Sequence, residues 1–375
     1  MIIKSLSVFS IILSCTLTYG ADLDVSTIGK VSNSTLTLHP GEQQVHGRVV
    51  IPPTIDLIKG SKDSVLRFEG LTPKDGECLG TLVRSHSRLT IKDLTIIGDH
   101  DGLPLGPGHQ LVHGLAIRMV EDVTIANVTI KNVAGMGINL SGCTHILVRN
   151  CTIKDVGRDG VTSYGRSKSE LKEGQWIDSG DRDNRLIEKL TVIDNHIENV
   201  GDDGIACWLS SAGYYTYHGQ NQNVTIANNT IVGVSQPHAK NFGRGIALGG
   251  VRQALLAKNK IIQMPTHGIY VGIDMTARFD HERPARSSEE IKIIDNLIVN
   301  TGRYQGSGYM VKQAGIYLEE VDQVLLKRNT ISGIYKNRDK PKSSGMGIIQ
   351  IESENVELDD NTIVQEMLPY TQETP

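Results

Sequence analysis

The stretch Gly201-Asp202-Asp203-Gly204-Ile205 contains one copy of a triplet, X-Gly-(Ile/Val/Leu), that recurs along the chain. The other copies have their first residue at His113, Met136, Asp159, Arg244, His267, Ala314 and Met346. A motif that returns at short intervals is the signature of a stacked repeat fold. The chain is therefore expected to wind into turns that place the X residues next to one another.

The shortest interval between copies is 23 residues, as from Gly114 to Gly137 and from Gly245 to Gly268. That length accommodates three short strands with bends between them, which is typical of a parallel β-helix. A leucine-rich repeat would show a Leu-x-x-Leu-x-Leu pattern, which this chain lacks. We predict an all-β fold, a single-stranded right-handed parallel β-helix (a solenoid), with the handedness expected from β-crossover chirality.

Two more columns follow the same period. Two apolar residues five positions apart occur once in each of nine turns, namely Ile91/Ile96, Ile125/Ile130, Val148/Ile153, Val192/Ile197, Ile226/Ile231, Leu256/Ile261, Ile293/Ile298, Leu326/Ile331 and Leu358/Ile363. An asparagine stands three positions after the first of these in the last six turns, at Asn195, Asn229, Asn259, Asn296, Asn329 and Asn361. We predict a hydrogen-bonded ladder of these amides at a bend, with asparagine tolerating the left-handed backbone conformation there.

The N-terminal residues differ from the repeats. Lys4, the apolar run from Leu6 to Leu17 and the small residues before Ala21 predict a signal peptide over residues 1–20. We expect a secreted or periplasmic protein, with lipoprotein anchoring at Cys15 as a minor alternative. Residues 21–85 are predicted to form an N-terminal cap and the first turns, 86–366 the turns that carry the groove, and 367–375 a C-terminal tail.

Composition narrows the range of partners. The formal net charge is −4 and no long basic run occurs, so no nucleic-acid partner is expected. After the predicted signal no apolar stretch is long enough for a transmembrane segment. Cys78, Cys143, Cys151 and Cys207 remain, and we expect buried free thiols because the count is low for a disulfide scaffold and the spacing does not suit a metal.

Long segments interrupt the repeat at both ends of the triplet strands. They are residues 166–185, 209–222 and 273–290 after the strands, and residues 235–242 and 302–311 before them. Functional loops of repeat proteins tend to lie on one face. We therefore expect long loops flanking one sheet, where they wall a groove across the X residues.

The X position is polar in four successive turns. In turn order the column reads Met136, Asp159, Asp203, Arg244, His267 and Ala314. Neighbouring strands lie about 4.8 Å apart, so these side chains should project side by side, with Asp202 entering at the same bend. Three carboxylates this close repel, and at least one should hold its proton to a higher pH. A protonated acid beside an ionised carboxylate is what glycosidic cleavage requires.

Two other interpretations of the column stay open. An ion-pair stack in which Arg244 only neutralises its neighbours would be structural. Asp159, Asp202 and Asp203 also offer the oxygen ligands that Ca²⁺ prefers, although Arg244 beside them argues against a cation. We predict no metal and no cofactor for a hydrolase, and Ca²⁺ only for a lyase.

Aromatic residues follow the same strands. Tyr164 and Trp208 occupy equivalent places after Asp159 and Asp203, and Tyr270 follows His267. Rings with an apolar face and a polar edge suit stacking on sugars, and packing beneath loops explains them equally well. We predict Tyr164, Trp208 and Tyr270 as substrate-binding residues.

Three successive turns resemble a known family. Gly157-Arg158-Asp159-Gly160, Gly201-Asp202-Asp203-Gly204 and Gly243-Arg244-Gly245 are similar to the Asn-Thr-Asp, Gly-Asp-Asp and Gly-His-Gly motifs of polygalacturonase-type glycoside hydrolases, within the pectin-lyase-like β-helix superfamily. The resemblance covers three turns at motif level and most of the chain at fold level. It implies that Asp202 is the general acid and that Asp159 and Asp203 hold the attacking water.

The chain departs from that family at three places. Arg244 replaces the family's His, Arg158 replaces its Thr, and the Arg-Ile-Lys that binds galacturonate is replaced around Gly268-Ile269-Tyr270. Arg244 could itself hold a uronate carboxylate. The substrate is therefore predicted as a polysaccharide or oligosaccharide, with uronate content left open.

We interpret the sequence as that of a secreted polysaccharide-cleaving enzyme, a glycoside hydrolase with catalytic Asp202, Asp159, Asp203 and His267. The first alternative is a polysaccharide lyase or uronate epimerase, in which His267 or Lys312 removes a proton and Arg244 neutralises the substrate carboxylate. The second alternative is a non-catalytic carbohydrate-binding solenoid.

Overall fold

Beyond an antiparallel pair at its start, Gly29–Ser32 with Thr35–Leu38, the chain winds in turns that contribute strands to three parallel sheets. The computed structural model describes residues 23–72, 75–81, 87–100, 112–166, 186–210, 220–233, 243–273, 287–302, 313–335 and 345–364. A short 3₁₀ helix, Val25–Thr27, precedes the strands. The first sheet consists of Val49–Ile51, Glu77–Thr81, His113–Arg118, Ile138–Ser141, Val161–Arg166, Ile205–Ser210, Ile246–Gly249, Ile269–Gly272, Ala314–Glu319 and Met346–Ile351.

The second and third sheets close each turn. The second contains Gly29–Ser32, Thr35–Leu38, Leu57–Lys59, His145–Arg149, Lys189–Ile193, Asn221–Ala227, Val251–Ala257, Glu289–Ile294, Asp322–Lys327 and Glu354–Asp359. The third contains Gly41–Val45, Ser64–Phe68, Thr152–Val156, His196–Val200, Thr230–Val232, Lys260–Ile262, Leu297–Val299, Thr330–Ser332 and Thr362–Val364. The long strands Arg88–Ile97 and Asp122–Val133 run through the bend and belong to both sheets. These sheets confirm the predicted all-β, single-stranded parallel β-helix.

The core is built from the predicted apolar columns. Ile125 pairs in register with Ile91 and with Val148, and Ile130 pairs with Ile96 and with Ile153. The same registers continue without a slip to Leu358 and Ile363 in the last described turn. Each apolar residue therefore stacks on its equivalents above and below, which confirms the alignment of the nine turns.

The triplet glycine is required by close approach at the bend into the first sheet. A Cβ on Gly204 would lie 2.5 Å from Ile231 Cγ2 and 2.7 Å from the Gly245 carbonyl oxygen. Any side chain at this position would push neighbouring turns apart. The invariance of the triplet along the chain thus has a steric cause, whereas X is free to vary.

The predicted asparagine ladder lies between the second and third sheets. Asn259 Nδ2 donates to Asn296 Oδ1 at 3.0 Å and to the Ile226 carbonyl oxygen at 2.9 Å. The same pattern runs from Asn195 to Asn361. The left-handed conformation was predicted for the ladder asparagines themselves, and this was wrong. It falls on the residue before each of them, at Asp194, Asn228, Lys258, Asp295, Arg328 and Asp360.

The predictions for the cysteines and for a membrane segment can be compared with the structure, whereas several others lie outside the described residues. The four cysteines are free and buried, as expected, and burial raises the pKa of Cys151 to about 11 and of Cys207 to about 12. Within the described residues no helix has the length and apolar character that crossing a bilayer requires. The signal segment, Cys15, Lys312 and much of the predicted groove-walling loops lie outside the described residues.

Candidate functional site

The polar X residues lie next to one another at the bend from the third sheet into the first. Val161 pairs with Ile205, and Ile246 pairs with both Ile205 and Ile269, which places Asp159, Asp203, Arg244 and His267 in successive turns. Within the column, Asp159 Oδ1 accepts a hydrogen bond from Asp203 N at 3.0 Å, and Asp203 Oδ1 accepts one from Arg244 N at 2.9 Å. Asp at X thus also has a structural use, because it satisfies a backbone N–H of the next turn.

Asp203 and Arg244 form a buried, bidentate ion pair. Arg244 Nε donates to Asp203 Oδ1 and Arg244 Nη2 to Asp203 Oδ2, both at 2.7 Å. The guanidinium carbon lies 5.1 Å from the Trp208 ring centroid and 5.0 Å from that of Tyr270. Both Asp203 oxygens are therefore occupied, and Arg244 is held by charge and by two aromatic rings.

Asp159 and Asp202 are held more loosely. Their nearest basic group is Arg158, whose Nη2 lies 3.5 Å from Asp202 Oδ2 and 4.0 Å from Asp159 Oδ2. Asp202 Oδ1 is buried and makes no hydrogen bond. The Arg158 side chain is 22% exposed, whereas those of the two aspartates are 4% and 7% exposed. Solvent therefore reaches this pair mainly on the Arg158 side.

Burial and mutual repulsion favour protons on this pair. Burial, followed by the charge of Asp203, raises the pKa of Asp159 to about 6, although Arg158 opposes the shift. Burial, followed by the charges of Asp159 and Asp203, raises the pKa of Asp202 well above its usual value. The pair therefore keeps a proton to a higher pH than a free aspartate would, which the sequence predicted for the trio without identifying the members.

The predicted aromatic residues occupy two different places. Tyr164 and Trp208 pair in register, as expected, and Tyr164 is half-buried. Trp208 is 3% and Tyr270 1% exposed, and both belong to a packed cluster with Tyr317. The Tyr270 hydroxyl donates to Glu319 Oε2 at 2.6 Å. Trp208 and Tyr270 pack against Arg244 in this structure, and their role in sugar binding stays a prediction.

His267 also bonds to the next turn. Its Nδ1 accepts a hydrogen bond from Ala314 N at 3.2 Å, which fixes the neutral ring as the tautomer with hydrogen on Nε2. His113, in the same column, accepts from Met136 N in the same way, and burial lowers its pKa to about 4. In this tautomer neither ring nitrogen of His267 is free to accept a proton, so its predicted catalytic use would require the contact with Ala314 to break.

The three carboxylates satisfy the spacing of a cation site. One oxygen of each of Asp159, Asp202 and Asp203 lies within 4.8 Å of the others. Arg158 and Arg244 already bring two positive charges to the same group, and a guanidinium beside a carboxylate competes with a divalent ion. The expectations of no metal for a hydrolase and of Ca²⁺ for a lyase both stay predictions.

Arg158 was overlooked as a functional residue in the sequence. It precedes Asp159 as Asp202 precedes Asp203, and the two side chains meet for that reason. The position before X was the available signal. It is charged only in these two neighbouring turns of the column, which reads Val112, Gly135, Arg158, Asp202, Gly243, Thr266, Gln313 and Gly345.

Comparison with known proteins identifies the fold. A family model described as "Right handed beta helix region" matches residues 113–272 and 208–363. Among solved structures, the surface protein and adhesin PfbA of Streptococcus pneumoniae is 12% identical, with 92% of this chain and 100% of that chain covered and a TM-score of 0.55. The catalytic domain of a GH87 alpha-1,3-glucanase in complex with tetrasaccharides is 14% identical, with 88% and 61% covered and a TM-score of 0.50. No curated protein matches. The predicted right-handed β-helix superfamily is thereby confirmed.

Proposed function

We propose that this chain, which belongs to the family of right-handed β-helix proteins, is a polysaccharide-cleaving enzyme that hydrolyses glycosidic bonds. The observation that carries the proposal is the buried pair of Asp159 and Asp202, whose pKa values are both raised while Asp202 Oδ1 has no hydrogen-bond partner. Perturbed carboxylates held in unequal surroundings are typical of acid and base catalysts. A purely structural acid would have its oxygens bonded, as Asp203 does.

The three aspartates have different roles in the proposed hydrolysis. Protonated Asp202 donates its proton to the glycosidic oxygen as the bond to the anomeric carbon breaks. Ionised Asp159 accepts a proton from the water whose oxygen forms the new bond to that carbon. Asp203 takes no part in proton transfer, because Arg244 holds both of its oxygens. This differs from the role that the family resemblance implies for Asp203.

Asp203 and Arg244 act on the pair through charge. The negative charge of Asp203 raises the pKa of both Asp159 and Asp202, and Arg244 lowers that of Asp202. Because Arg244 is buried and paired with Asp203, whereas the Arg158 side chain is partly exposed, Arg158 is the better-placed cation for a substrate group at this site. A uronate carboxylate is therefore assigned to Arg158 in preference to Arg244 if the substrate is acidic.

The fold is compatible with this function and with others. One similar structure is a glucanase with bound tetrasaccharides and another is an adhesin, so the scaffold alone does not decide between cleavage and binding. A lyase or epimerase using His267 is less well supported, because its Nδ1 accepts from Ala314 N. Non-catalytic carbohydrate binding remains the second candidate. It is favoured by the near-complete burial of Asp159 and Asp202, which leaves little of either carboxyl exposed to a substrate. We propose export of the chain on the sequence of residues 1–20.

A glycan screen tests the proposal. The purified protein is incubated with a polysaccharide panel, with and without chelator, and products are followed by reducing ends and by ultraviolet absorbance. Hydrolysis gives reducing ends without absorbance, and the Asp202→Asn variant gives neither. An absorbing unsaturated product would identify a lyase. Full hydrolysis by Asp202→Asn would sink the assignment.

A further inference from the structure

In the described residues seven buried polar atoms make no hydrogen bond, and four of them belong to residues around the two acids, in or beside the first sheet. These four are Asn139 Oδ1, Arg158 Nε, Thr162 Oγ1 and Asp202 Oδ1. Asn139 and Thr162 pair in register on neighbouring strands, and Arg158 approaches Asp202 to 3.5 Å. Thr162 lies close enough to Asp159 to help lower its pKa, but its hydroxyl makes no well-directed hydrogen bond. Buried polar atoms in folded proteins are nearly always bonded, so a group of four needs a cause.

The two sides of Asp159 and Asp202 differ in how completely their polar atoms are hydrogen-bonded. On the side of the later turns, Trp208, Arg244 and Tyr270 pack against one another, and Arg244 donates two hydrogen bonds to Asp203. On the side of the earlier turns, the strand positions equivalent to Tyr270 hold Asn139 and Thr162. These are short polar side chains, whereas the next two turns hold Ala206 and Ala247 at this position and the following two hold the rings of Tyr270 and Tyr317. The earlier side therefore has the shorter side chains and the unmatched polar atoms that a ligand would use.

The combination of hydrogen-bond donors and acceptors among these four atoms indicates the kind of ligand. Asn139 Oδ1 accepts, Arg158 Nε donates, and Thr162 Oγ1 does either, while Asp202 Oδ1 donates or accepts according to its proton. A bare cation would leave Arg158 Nε unmatched, and a carboxylate would leave Asn139 Oδ1 unmatched. A sugar ring presents neighbouring hydroxyl groups, each of which both donates and accepts. It is the group that satisfies the whole set.

We propose that Asn139, Arg158 and Thr162 form a subsite that binds the hydroxyl groups of one sugar residue next to Asp202. The inference rests on the proposed function and deepens it, because it assigns which side of the acids holds the substrate. Half-buried Tyr164, two residues beyond Thr162 on the same strand, lies at the edge of the subsite. The sugar bound here is adjacent to the glycosidic oxygen that Asp202 protonates.

The first test needs no ligand. Thr162→Val keeps the shape of the side chain and removes a hydroxyl that makes no well-directed hydrogen bond, although it helps to hold down the pKa of Asp159. The subsite predicts a melting temperature equal to or above that of the wild type, as expected where a binding site is maintained at a cost in stability. Thr191→Val, a half-buried threonine on the outer face of the second sheet, is the matched control. A clear drop in melting temperature for Thr162→Val alone would show a structural hydroxyl and overturn the proposal.

The second test uses polygalacturonate, alginate and α-1,3-glucan oligosaccharides as probes. On whichever is cleaved, Asn139→Leu and Thr162→Val should each raise KM by about tenfold, roughly the value of one buried hydrogen bond, with kcat changed much less. Thr191→Val should leave both constants unchanged. An unchanged KM in both subsite variants would mean that water alone fills the site.

The Asp202→Asn variant separates the two proposals. It retains Oδ1 and should still bind the probe without cleaving it, as measured by titration calorimetry. Cleavage by the wild type with unaffected KM in the subsite variants refutes the subsite and leaves the function standing. Binding by Asp202→Asn that Thr162→Val abolishes, without any cleavage by the wild type, supports the subsite and refutes the hydrolase. A wild type that neither binds nor cleaves any probe refutes both.

Discussion

Arg244 binds Asp203 through two hydrogen bonds of 2.7 Å, and its guanidinium also lies about 5 Å from the ring centroids of both Trp208 and Tyr270. The pair joins neighbouring turns in the buried part of the first sheet. It removes one carboxylate of the trio from proton transfer and fixes a negative charge beside the other two. The arrangement therefore separates a structural aspartate from two reactive ones.

Breaking this pair should destabilise the protein strongly. Arg244→Met leaves Asp203 charged, buried and unpaired, and we expect a loss of about 3–5 kcal/mol in the free energy of unfolding. Adding Asp203→Asn should recover much of that loss, because the unpaired charge is gone. Unfolding by denaturant measures the free energy of unfolding of both variants.

An exposed pair supplies the control. Arg328 Nε contacts Asp295 Oδ1 at the same 2.7 Å and also joins neighbouring turns, but it lies in solvent. Arg328→Met should therefore cost far less than Arg244→Met. Equal losses in the two variants would contradict the importance assigned to burial.

The asparagine ladder should contribute stability in proportion to its bonding. Asn259 donates to Ile226 and Asn296 and accepts from Asn229 on the other side, whereas Asn361 is the last described member and is only half-buried. Asn259→Ala should cost about 2–4 kcal/mol, as expected when several buried groups lose their partners. Asn361→Ala should cost clearly less. Chemical denaturation compares the two, and a larger cost at Asn361 would be inconsistent with the ladder.

The columns of the β-helix were predictable because each depends on a period that the chain repeats many times. The triplet glycine, the apolar residues and the ladder asparagines each perform one steric or hydrogen-bonding task in every turn. The left-handed position was misplaced by one residue because it accepts Asp, Asn, Lys and Arg alike, as at Asp194, Lys258 and Arg328. A position without a preferred residue type leaves no pattern to read.

The site was predictable as a location and less so as a mechanism. Polar residues bounded by Met136 and Ala314 marked the place, because the side chains of one column must adjoin. The partner that Asp203 would choose depends on the path of the Arg244 side chain, which register alone does not set. The importance of Asn139 and Thr162 lies in bonds that they do not make, and only burial reveals it.

The tautomer of His267 can be measured directly. Because Nδ1 accepts from Ala314 N, ¹⁵N spectra of histidine-labelled protein should show hydrogen on Nε2 of His267 at neutral pH. His267→Gln should then leave the chemistry of cleavage in place, apart from any loss of stability. Hydrogen on Nδ1 would reopen the lyase mechanism, as would a loss of turnover in a folded His267→Gln protein.

Removing either reactive carboxyl should stabilise the fold near neutral pH. Asp159 has a folded-state pKa of about 6, above its usual 3.8, so ionisation costs the native state increasingly as pH rises through that range. Asp159→Asn avoids the cost and keeps an oxygen for Asp203 N. We expect a gain on the order of 3 kcal/mol above pH 7 and none below about pH 4. Melting curves at both pH values measure the gain, and a gain that is the same at both would contradict the raised pKa.

The rate of cleavage should follow a bell-shaped dependence on pH. Asp159 must be ionised to accept a proton, so activity should fall as pH drops through about 6. Asp202 must be protonated to donate one, so activity should fall again as pH rises through its elevated pKa. Since the two carboxyls interact, the limbs belong to the pair. Asp203→Asn removes the charge that raises both pKa values, and Arg244→Met is added so that no unpaired guanidinium is left. In this double variant the Asp159 limb should move to lower pH, and the Asp202 limb should move to lower pH by less, because the loss of Arg244 removes a charge that lowers the pKa of Asp202. Measurement of kcat/KM across pH 4–9 tests this prediction. Limbs that stay at the same pH in the double variant would exclude the charge of Asp203 as the source of the raised pKa values.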